Sequence, residues 1–217
     1  MFNRTTGIIL LIALAAGLGL LAAQKVFAPA DTASQWPDTE AVTMYPQPRP
    51  VPEFSLRQSD GTQLTLGELQ GQWMLVFLGF TSCPDVCPAT LAQLAQAQAQ
   101  WASLPESTRP RVLLVSVDPD RDTPVRAGEY AHAFHPDTLA ATADVPTLEA
   151  FATSLGFVFM KVPGEGFEEN PSNYTVDHSS GIAVLDPQGR VTGLIRPPFD
   201  PRAIAADLAA LTRAAAP

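Results

Sequence analysis

The chain has 217 residues, with 13 Lys and Arg against 22 Asp and Glu, and carries a net charge of −9. Such an acidic chain lacks the basic surface that neutralises phosphates, so we expect no nucleic-acid partner. Apolar residues make up 46% of the sequence and charged residues 16%, which is typical of a globular domain, and two cysteines exclude a disulfide-rich scaffold.

The N-terminal segment determines the predicted compartment. An apolar run from Gly7 to Ala23 follows Arg4, and its roughly 17 residues reach the lower limit for a membrane-spanning helix. The positive charge before the run predicts a single-pass anchor over residues 1–27 in a bacterial-type inner membrane, with the body facing the periplasm. A signal peptide cleaved near Ala23 or Ala28 is the alternative, and it would also export the body.

The next segment is rich in proline, which favours an extended and semi-rigid backbone. We therefore predict a linker over residues 28–50 and a folded body over residues 51–217; a disordered linker is the alternative. The prolines in and beside this segment are Pro29, Pro37, Pro46, Pro48, Pro50 and Pro52.

Strand and helix patterns alternate along the body. Alternation and a turn at Asp60-Gly61 predict a first hairpin, with arms at 54–56 and 64–66. Continuous apolar runs predict buried strands at Trp73–Phe80 and Val112–Val117. Helices are predicted at Asp85–Trp101, Thr123–Phe134, Val145–Leu155 and Ala203–Arg213. Residues 157–159 lead into an irregular polar stretch, and a second hairpin pairs Gly181–Leu185 with Gly193–Ile195.

This order of elements predicts an α/β fold. Buried strands joined by helices run parallel through right-handed crossovers, and the terminal hairpin adds antiparallel strands. The predicted class is therefore a thioredoxin-like fold, a mixed sheet flanked by helices, with an N-terminal membrane anchor.

Cys83 and Cys87 lie where the strand at Trp73–Phe80 ends and the next helix begins. Residues i and i+4 share one face of a helix, so we expect both sulfurs to point the same way. A helix N-terminus also lowers a cysteine pKa, which suits a metal ligand or a nucleophile. A structural disulfide is the alternative, although so short a loop would add little stability.

His178 is the candidate third ligand, because it precedes the strand at Gly181–Leu185 on the sheet end that carries the cysteines. Two thiolates and one imidazole form a soft set suited to Cu(I) and able to hold Cu(II). A purely structural histidine remains the alternative on this evidence alone.

Other polar residues could tune or join the site. Asp118 could tune it, but we favour a capping role for both Asp118 and Asp122. Asp177 could hydrogen-bond His178 or simply shape its loop. His132 and His135 are expected to form a solvated surface pair, and Met74 and Met160 to lie in the core.

Four segments in the same order resemble the Sco/SenC family: Gly79–Pro88, Val115–Pro124, Phe134–Pro136 and Val176–Ser179. The resemblance extends from about Val51 to Leu211, and the apolar run and stalk also match the family's layout. It implies a thioredoxin fold, copper bound by Cys83, Cys87 and His178, and delivery of copper to the dinuclear copper site of cytochrome c oxidase. It also implies a part in handling the recipient's thiols and disulfides.

The predicted function is therefore that of a copper chaperone rather than an enzyme. We expect a monomer that binds Cu(I) or Cu(II), is tethered to the membrane, and meets the copper-site subunit of cytochrome c oxidase. A thiol-disulfide oxidoreductase is the alternative, disfavoured because three residues separate Cys83 from Cys87 where thioredoxins have two. A peroxidase, with Arg121 as the activating residue, is the weakest alternative.

Overall fold

A computed structural model describes residues 7, 13–17, 19 and 36–215, and the chain divides into one unit up to residue 35 and another from residue 36. No helix among these residues combines the length and apolar character needed to cross a membrane. Most of the predicted anchor, residues 1–27, and the first part of the predicted linker, residues 28–35, lie outside the described residues.

The second unit contains two sheets and five helices within its described residues. The strands are β1 (Val42–Arg49), β2 (Ser55–Gln58), β3 (Gln63–Thr65), β4 (Met74–Gly79), β5 (Arg111–Ser116), β6 (Thr138–Thr142), β7 (Phe159–Pro163), β8 (Tyr174–His178), β9 (Ile182–Leu185) and β10 (Val191–Ile195). The helices are α1 (Leu66–Leu69), α2 (Val86–Trp101), α3 (Pro124–His132), α4 (Val145–Leu155) and α5 (Pro201–Ala215).

The larger sheet is mixed, in the order β1-β10-β9-β4-β5-β6-β2-β3. Strand β4 pairs in parallel with β5 and antiparallel with β9, and every residue of β4 is buried. A strand covered on both faces needs a continuous apolar sequence, which the run at Met74–Gly79 supplies. The prediction of a mixed sheet flanked by helices is confirmed.

The helices begin and end where local signals place them. Thr123 caps α3 by accepting the amide of Arg126, and Asp144 caps α4 by accepting the amide of Thr147. Helix α4 ends at Gly156, whose φ of 82° is a left-handed conformation suited to glycine. The predicted bounds of α4 are confirmed, and α2 begins one residue after its predicted start.

The prediction of a linker was wrong for residues 42–49. Residues Val42–Arg49 form β1, which pairs antiparallel with β10 at the edge of the sheet. The register shifts between Met44 and Arg49, around Pro46 and Pro48. Proline is tolerated in such an irregular edge strand, so a proline-rich sequence does not exclude a strand there.

Three further strands were not predicted from the sequence. β6 is a short parallel strand beside β5, and β7 pairs with β8 in a separate two-stranded sheet over the stretch predicted as irregular. Every residue of β7 is at least partly exposed, as are three of the five in β8. β7 therefore lacks the apolar pattern that predicts a strand, whereas β8 alternates apolar Tyr174 and Val176 with polar Thr175 and Asp177, a short signal that was available in the sequence.

Candidate metal centre

The two cysteines lie in the turn between β4 and α2. Cys83 precedes α2, whereas Cys87 is its second residue, so the prediction that both sit on one helix face was wrong. The turn itself brings them together, because the amide of Cys87 donates to Sγ of Cys83 at 3.3 Å. Both side chains are free thiols, with Cys87 fully buried and Cys83 partly exposed.

Gly79, the last residue of β4, leaves the space that Cys87 occupies. A Cβ atom at this position would lie 3.0 Å from Leu114, 3.1 Å from the Phe77 ring and 3.3 Å from Sγ of Cys87. These contacts are tighter than ordinary packing, so any side chain at residue 79 would press on the thiol. The glycine thus lets the strand end directly against the site.

His178 is the last residue of β8 rather than part of a loop, and it reaches the cysteine turn from across the sheet end. Its Nε2 atom lies 3.5 Å from Sγ of Cys87. Its Nδ1 atom lies 3.0 Å from the carbonyl oxygen of Ser179, which can only accept a hydrogen bond. Nδ1 therefore carries the proton in the neutral ring, and the lone pair of Nε2 faces the thiol.

Aromatic rings hold the imidazole in place. The rings of Phe77 and Phe80 meet the His178 ring edge-on, with centroids 5.9 and 6.1 Å away. An imidazole fixed by two rings and one carbonyl loses little freedom when it binds a ligand, which favours binding.

The distance between Cys87 and His178 suits a shared metal ion. With bonds of about 2.0 Å to nitrogen and 2.3 Å to sulfur, as for zinc, two ligand atoms on one ion lie roughly 3.5–3.7 Å apart. The observed 3.5 Å needs no rearrangement of this pair. Across the described part of the chain, however, no group of three His, Cys, Asp or Glu side chains is already arranged to hold a metal. A three-ligand site therefore requires some rearrangement of these side chains.

Burial governs the protonation of the site. It raises the pKa of the Cys87 thiol well above its ordinary value, and the hydrogen bond with Cys83 adds to the rise. The predicted lowering by the helix N-terminus was therefore wrong for Cys87. Burial also lowers the pKa of His178, against smaller opposing effects of the Ser179 carbonyl and the Asp177 charge. At neutral pH the imidazole is thus a neutral ligand.

Asp122 anchors the cysteine turn to the sheet, a role that was not predicted from the sequence. Its buried carboxylate accepts hydrogen bonds from the amide of Thr81 at 2.8 Å, the hydroxyl of Thr81 at 2.5 Å and the hydroxyl of Ser116 at 2.6 Å. The predicted capping role belongs instead to Thr123. The available sequence signal for this contact was a hydroxyl residue, Thr81, in the turn after one buried strand, together with an acidic residue, Asp122, after the next strand.

Asp118 braces the strand that carries His178. Its buried carboxylate accepts the hydroxyl of Tyr174 at 2.7 Å and forms an ion pair with Arg121. The Arg121 guanidinium also donates to the Tyr174 carbonyl at 3.0 Å and lies 3.8 Å from the centroid of the Tyr174 ring. The predicted capping by the Asp118 side chain was therefore wrong, and the Arg121 guanidinium is engaged in this brace.

The remaining candidates lie apart from the cysteines or make no direct bond to the imidazole. His132 is exposed at the end of α3, and Nδ1 of His135 accepts the amide of Asp137 at 3.2 Å. Asp177 is exposed and acts on His178 through its charge. Met74 is buried as predicted, but Met160 is 63% exposed, so its predicted place in the core was wrong.

The fold and the site define a class of protein: a thioredoxin-type α/β domain with two free thiols and an imidazole at one end of its sheet. Within that class the chain belongs to the SCO1/SenC family, whose sequence model matches residues 43–213. The match covers nearly all of the second unit and includes β1 from its second residue onward, where the sequence predicted a linker.

Known proteins similar to this chain include two curated relatives. A protein of Stutzerimonas stutzeri that is named as copper-binding is 32% identical over 164 residues, which cover 75% of this chain and 76% of that protein. The mitochondrial protein SCO1 homolog 1 of Arabidopsis thaliana is 36% identical over 137 residues, or 62% of this chain. The chain spans only 39% of that longer protein.

A solved structure shares the fold. The crystal structure of Arabidopsis thaliana ScoI with copper bound superposes with a TM-score of 0.65 and 29% sequence identity. The alignment covers 75% of this chain and 96% of that one. The likeness therefore extends over almost the whole of the other domain.

Proposed function

We propose that this protein is a copper chaperone that holds one copper ion through Cys83, Cys87 and His178 and delivers it to the dinuclear copper site of cytochrome c oxidase. Copper is its cargo, in the Cu(I) or Cu(II) state, and the protein is not a turnover enzyme. The contact of 3.5 Å between Sγ of Cys87 and Nε2 of His178 carries the proposal.

The chemistry of the donor set supports copper. Thiolate sulfur and imidazole nitrogen are ligands that Cu(I) prefers, and a site with few ligands leaves room for a recipient's sulfur. The tautomer fixed by Ser179 presents the Nε2 lone pair to the ion without prior loss of a proton. The copper-binding relative and the copper-bound ScoI structure support the same cargo.

Burial of Cys87 favours a metal carrier over a thiol-disulfide oxidoreductase. Such an enzyme needs a readily formed thiolate, but burial raises the pKa of the Cys87 thiol. A metal ion can displace the thiol proton when it binds, so a high pKa slows disulfide chemistry without excluding a metal site.

Placement outside the cytoplasm completes the proposal. The apolar run from Gly7 to Ala23 after Arg4 supports an N-terminal membrane tether with the body facing the periplasm. A body held there as a monomer could approach the copper-site subunit of the oxidase from the same side of the membrane.

The test is an anaerobic titration with Cu(I) against a chromogenic Cu(I) chelator. We expect one equivalent per chain, and loss of at least about tenfold in affinity for Cys83→Ala and for His178→Ala, since each removes one of three ligands. His132→Ala is the matched control, because His132 is exposed at the end of α3.

A copper-loaded spectrum gives a second measurement. The Cu(II) form should show charge transfer from sulfur to copper, and His178→Ala should shift or abolish that band, whereas His132→Ala should leave it unchanged. If both ligand variants kept the copper stoichiometry and affinity of the unaltered protein, the assignment of these residues as copper ligands would be wrong.

A further inference from the structure

One edge of β8 has no partner strand within the described residues. β8 pairs only with β7, in the register Met160↔Asp177 and Val162↔Thr175. In an antiparallel pair, successive residues alternate between those bonded to the partner and those whose N–H and C=O groups point the other way. The direction of each backbone group can therefore be read from the register.

Two flanking hydrogen bonds fix that alternation. The amide of Gly164 donates to the carbonyl of Asn173, and the amide of Ser179 donates to the carbonyl of Val158. Residues 173, 175, 177 and 179 are thus the bonded ones, and residues 174, 176 and 178 present their backbone groups to the opposite edge. The Tyr174 carbonyl is consistent with this assignment, because it accepts a hydrogen bond from Arg121 at that edge.

The rest of this edge is open. Within the described residues, neither Val176 nor His178 has a hydrogen-bond partner for its N–H or C=O group on that side. Val176 has a buried side chain, so its place in the strand is fixed while its edge remains free. An unpaired edge with fixed register is a template for another strand.

The free edge lines the cleft that leads to the site. Residues 175–178 form one wall of this cleft of about 490 Å³, and the cysteine turn, with Cys83 and Val86, forms the other. The lining includes the acidic residues Asp85 and Asp177 and, within the described part of the chain, no Lys or Arg. Val86, which is 52% exposed, adds an apolar surface beside the charges.

We propose that the free edge of β8 is the docking site for the copper recipient, which adds an extended, basic, thiol-bearing segment as a third strand of the β7–β8 sheet. Strand addition supplies affinity through backbone hydrogen bonds, and the acidic rim selects the basic segment. The inference rests on the proposed function, because the added strand would lie beside both His178 and Cys83.

Docking in this way aligns the exchange of ligands. A recipient thiol loses its proton to solvent as its sulfur bonds copper, and the thiolate of Cys83 takes up a proton as its own bond to copper breaks. Copper keeps its oxidation state, so no electron donor is needed. Backbone pairing would hold the incoming sulfur at a fixed position relative to the copper ligands. A recipient segment that bound without such pairing would not be positioned in this way.

The test uses the full-length protein and a blocked peptide, Lys-Val-Cys-Thr-Val-Lys, followed by amide hydrogen exchange. We expect the peptide to slow exchange at Val176 and His178 by at least about tenfold, because both amides gain a partner. Thr175 and Asp177 are the internal control, since their amides already face β7 and should change little.

A scan of N-methylated peptides tests the strand geometry directly. N-methylation removes one backbone donor and keeps the side chain. Methylation at alternate positions should weaken binding about fivefold to tenfold, the value of one hydrogen bond, while the intervening positions tolerate it. A peptide with Glu in place of both Lys residues should bind more weakly to the acidic rim.

Strand docking would be overturned if the peptide did not bind, or if it bound without slower exchange at Val176 and His178. It would also be overturned if the effects of N-methylation did not alternate along the peptide. Copper stoichiometry is measured separately on the same protein without peptide. A protein that binds the peptide with the expected pattern but takes up no copper would overturn the proposed function instead.

Discussion

The protonation of the Cys87 thiol limits copper uptake. The thiol is fully buried, and burial keeps it protonated because its pKa is raised. Copper must therefore displace a proton from this sulfur, and the proton leaves with a free-energy cost that falls as pH rises. His178 adds no such cost near neutral pH, because its pKa is lowered and the ring is already neutral.

This difference predicts the pH dependence of binding. Between pH 6.5 and pH 8, roughly, the apparent affinity for Cu(I) should rise by at least about tenfold per pH unit, one factor of ten for each thiol proton released. Competition with a Cu(I) chelator at several pH values, corrected for the chelator's own protonation, measures the slope. An affinity independent of pH over this range would mean that Cys87 is already a thiolate.

The cysteine turn depends on one carboxylate for its position. Asp122 accepts three hydrogen bonds from Thr81 and Ser116, and its side chain is fully buried. These bonds join the turn after β4 to the end of β5, so they set where Cys83 and Cys87 stand relative to the sheet. An amide in place of the carboxylate would present a donor where the turn also presents donors.

Asp122→Asn should therefore lower the free energy of unfolding by about 2–3 kcal/mol, since buried donors lose their charged acceptor. Urea unfolding of the copper-free protein measures the loss. The same variant should release copper faster, because its cysteine turn is less fixed.

Asp120→Asn is the matched control for this measurement. Asp120 is exposed and pairs at the surface with Lys161, so its loss should cost no more than about 1 kcal/mol. Equal stabilities of the two variants would show that the turn does not rely on Asp122.

The elements that the sequence predicts well are those with strong apolar periods. The continuous apolar run of β4 predicts a buried strand, and the capped apolar pattern of α4 predicts a helix. The structure contains both. β7 and β8 are half exposed and contain Lys161, Thr175 and Asp177, so their pairing depends on where the rest of the fold places them. The alternation of Tyr174 and Val176 with polar residues indicates β8 as a strand, but no local signal identifies its partner.

The candidate site divides in the same way. Cys83, Cys87 and His178 could be named because their residue types carry metal chemistry. The hydrogen bonds from Thr81 to Asp122 and from Tyr174 to Asp118 join residues that are 41 and 56 positions apart. The sequence offers candidate groups, such as a hydroxyl in the turn and an acidic residue after the next strand, but only the fold shows which of them pair.

The whole domain begins earlier than the sequence indicated. β1 closes the sheet against β10, with Val42 buried opposite Ile195. The carboxylate of Asp207, in α5, accepts the amides of Glu40, Ala41 and Val42 at 3.1, 2.7 and 3.0 Å. The start of the domain is thus fastened to its last helix as well as to the sheet.

A fragment of residues 51–217, cut at the predicted boundary, should therefore be less stable than a fragment of residues 36–217. It loses the burial of Val42, the hydrogen bonds of Asp207 and the edge-on contact of Trp36 with Trp73, whose centroids are 5.3 Å apart. A loss of about 2–4 kcal/mol would lower the thermal midpoint by roughly 5–15 °C. The bared edge of β10 should also promote self-association. Calorimetry and light scattering on both fragments measure these effects, and equal midpoints with two monomeric fragments would show that β1 is dispensable.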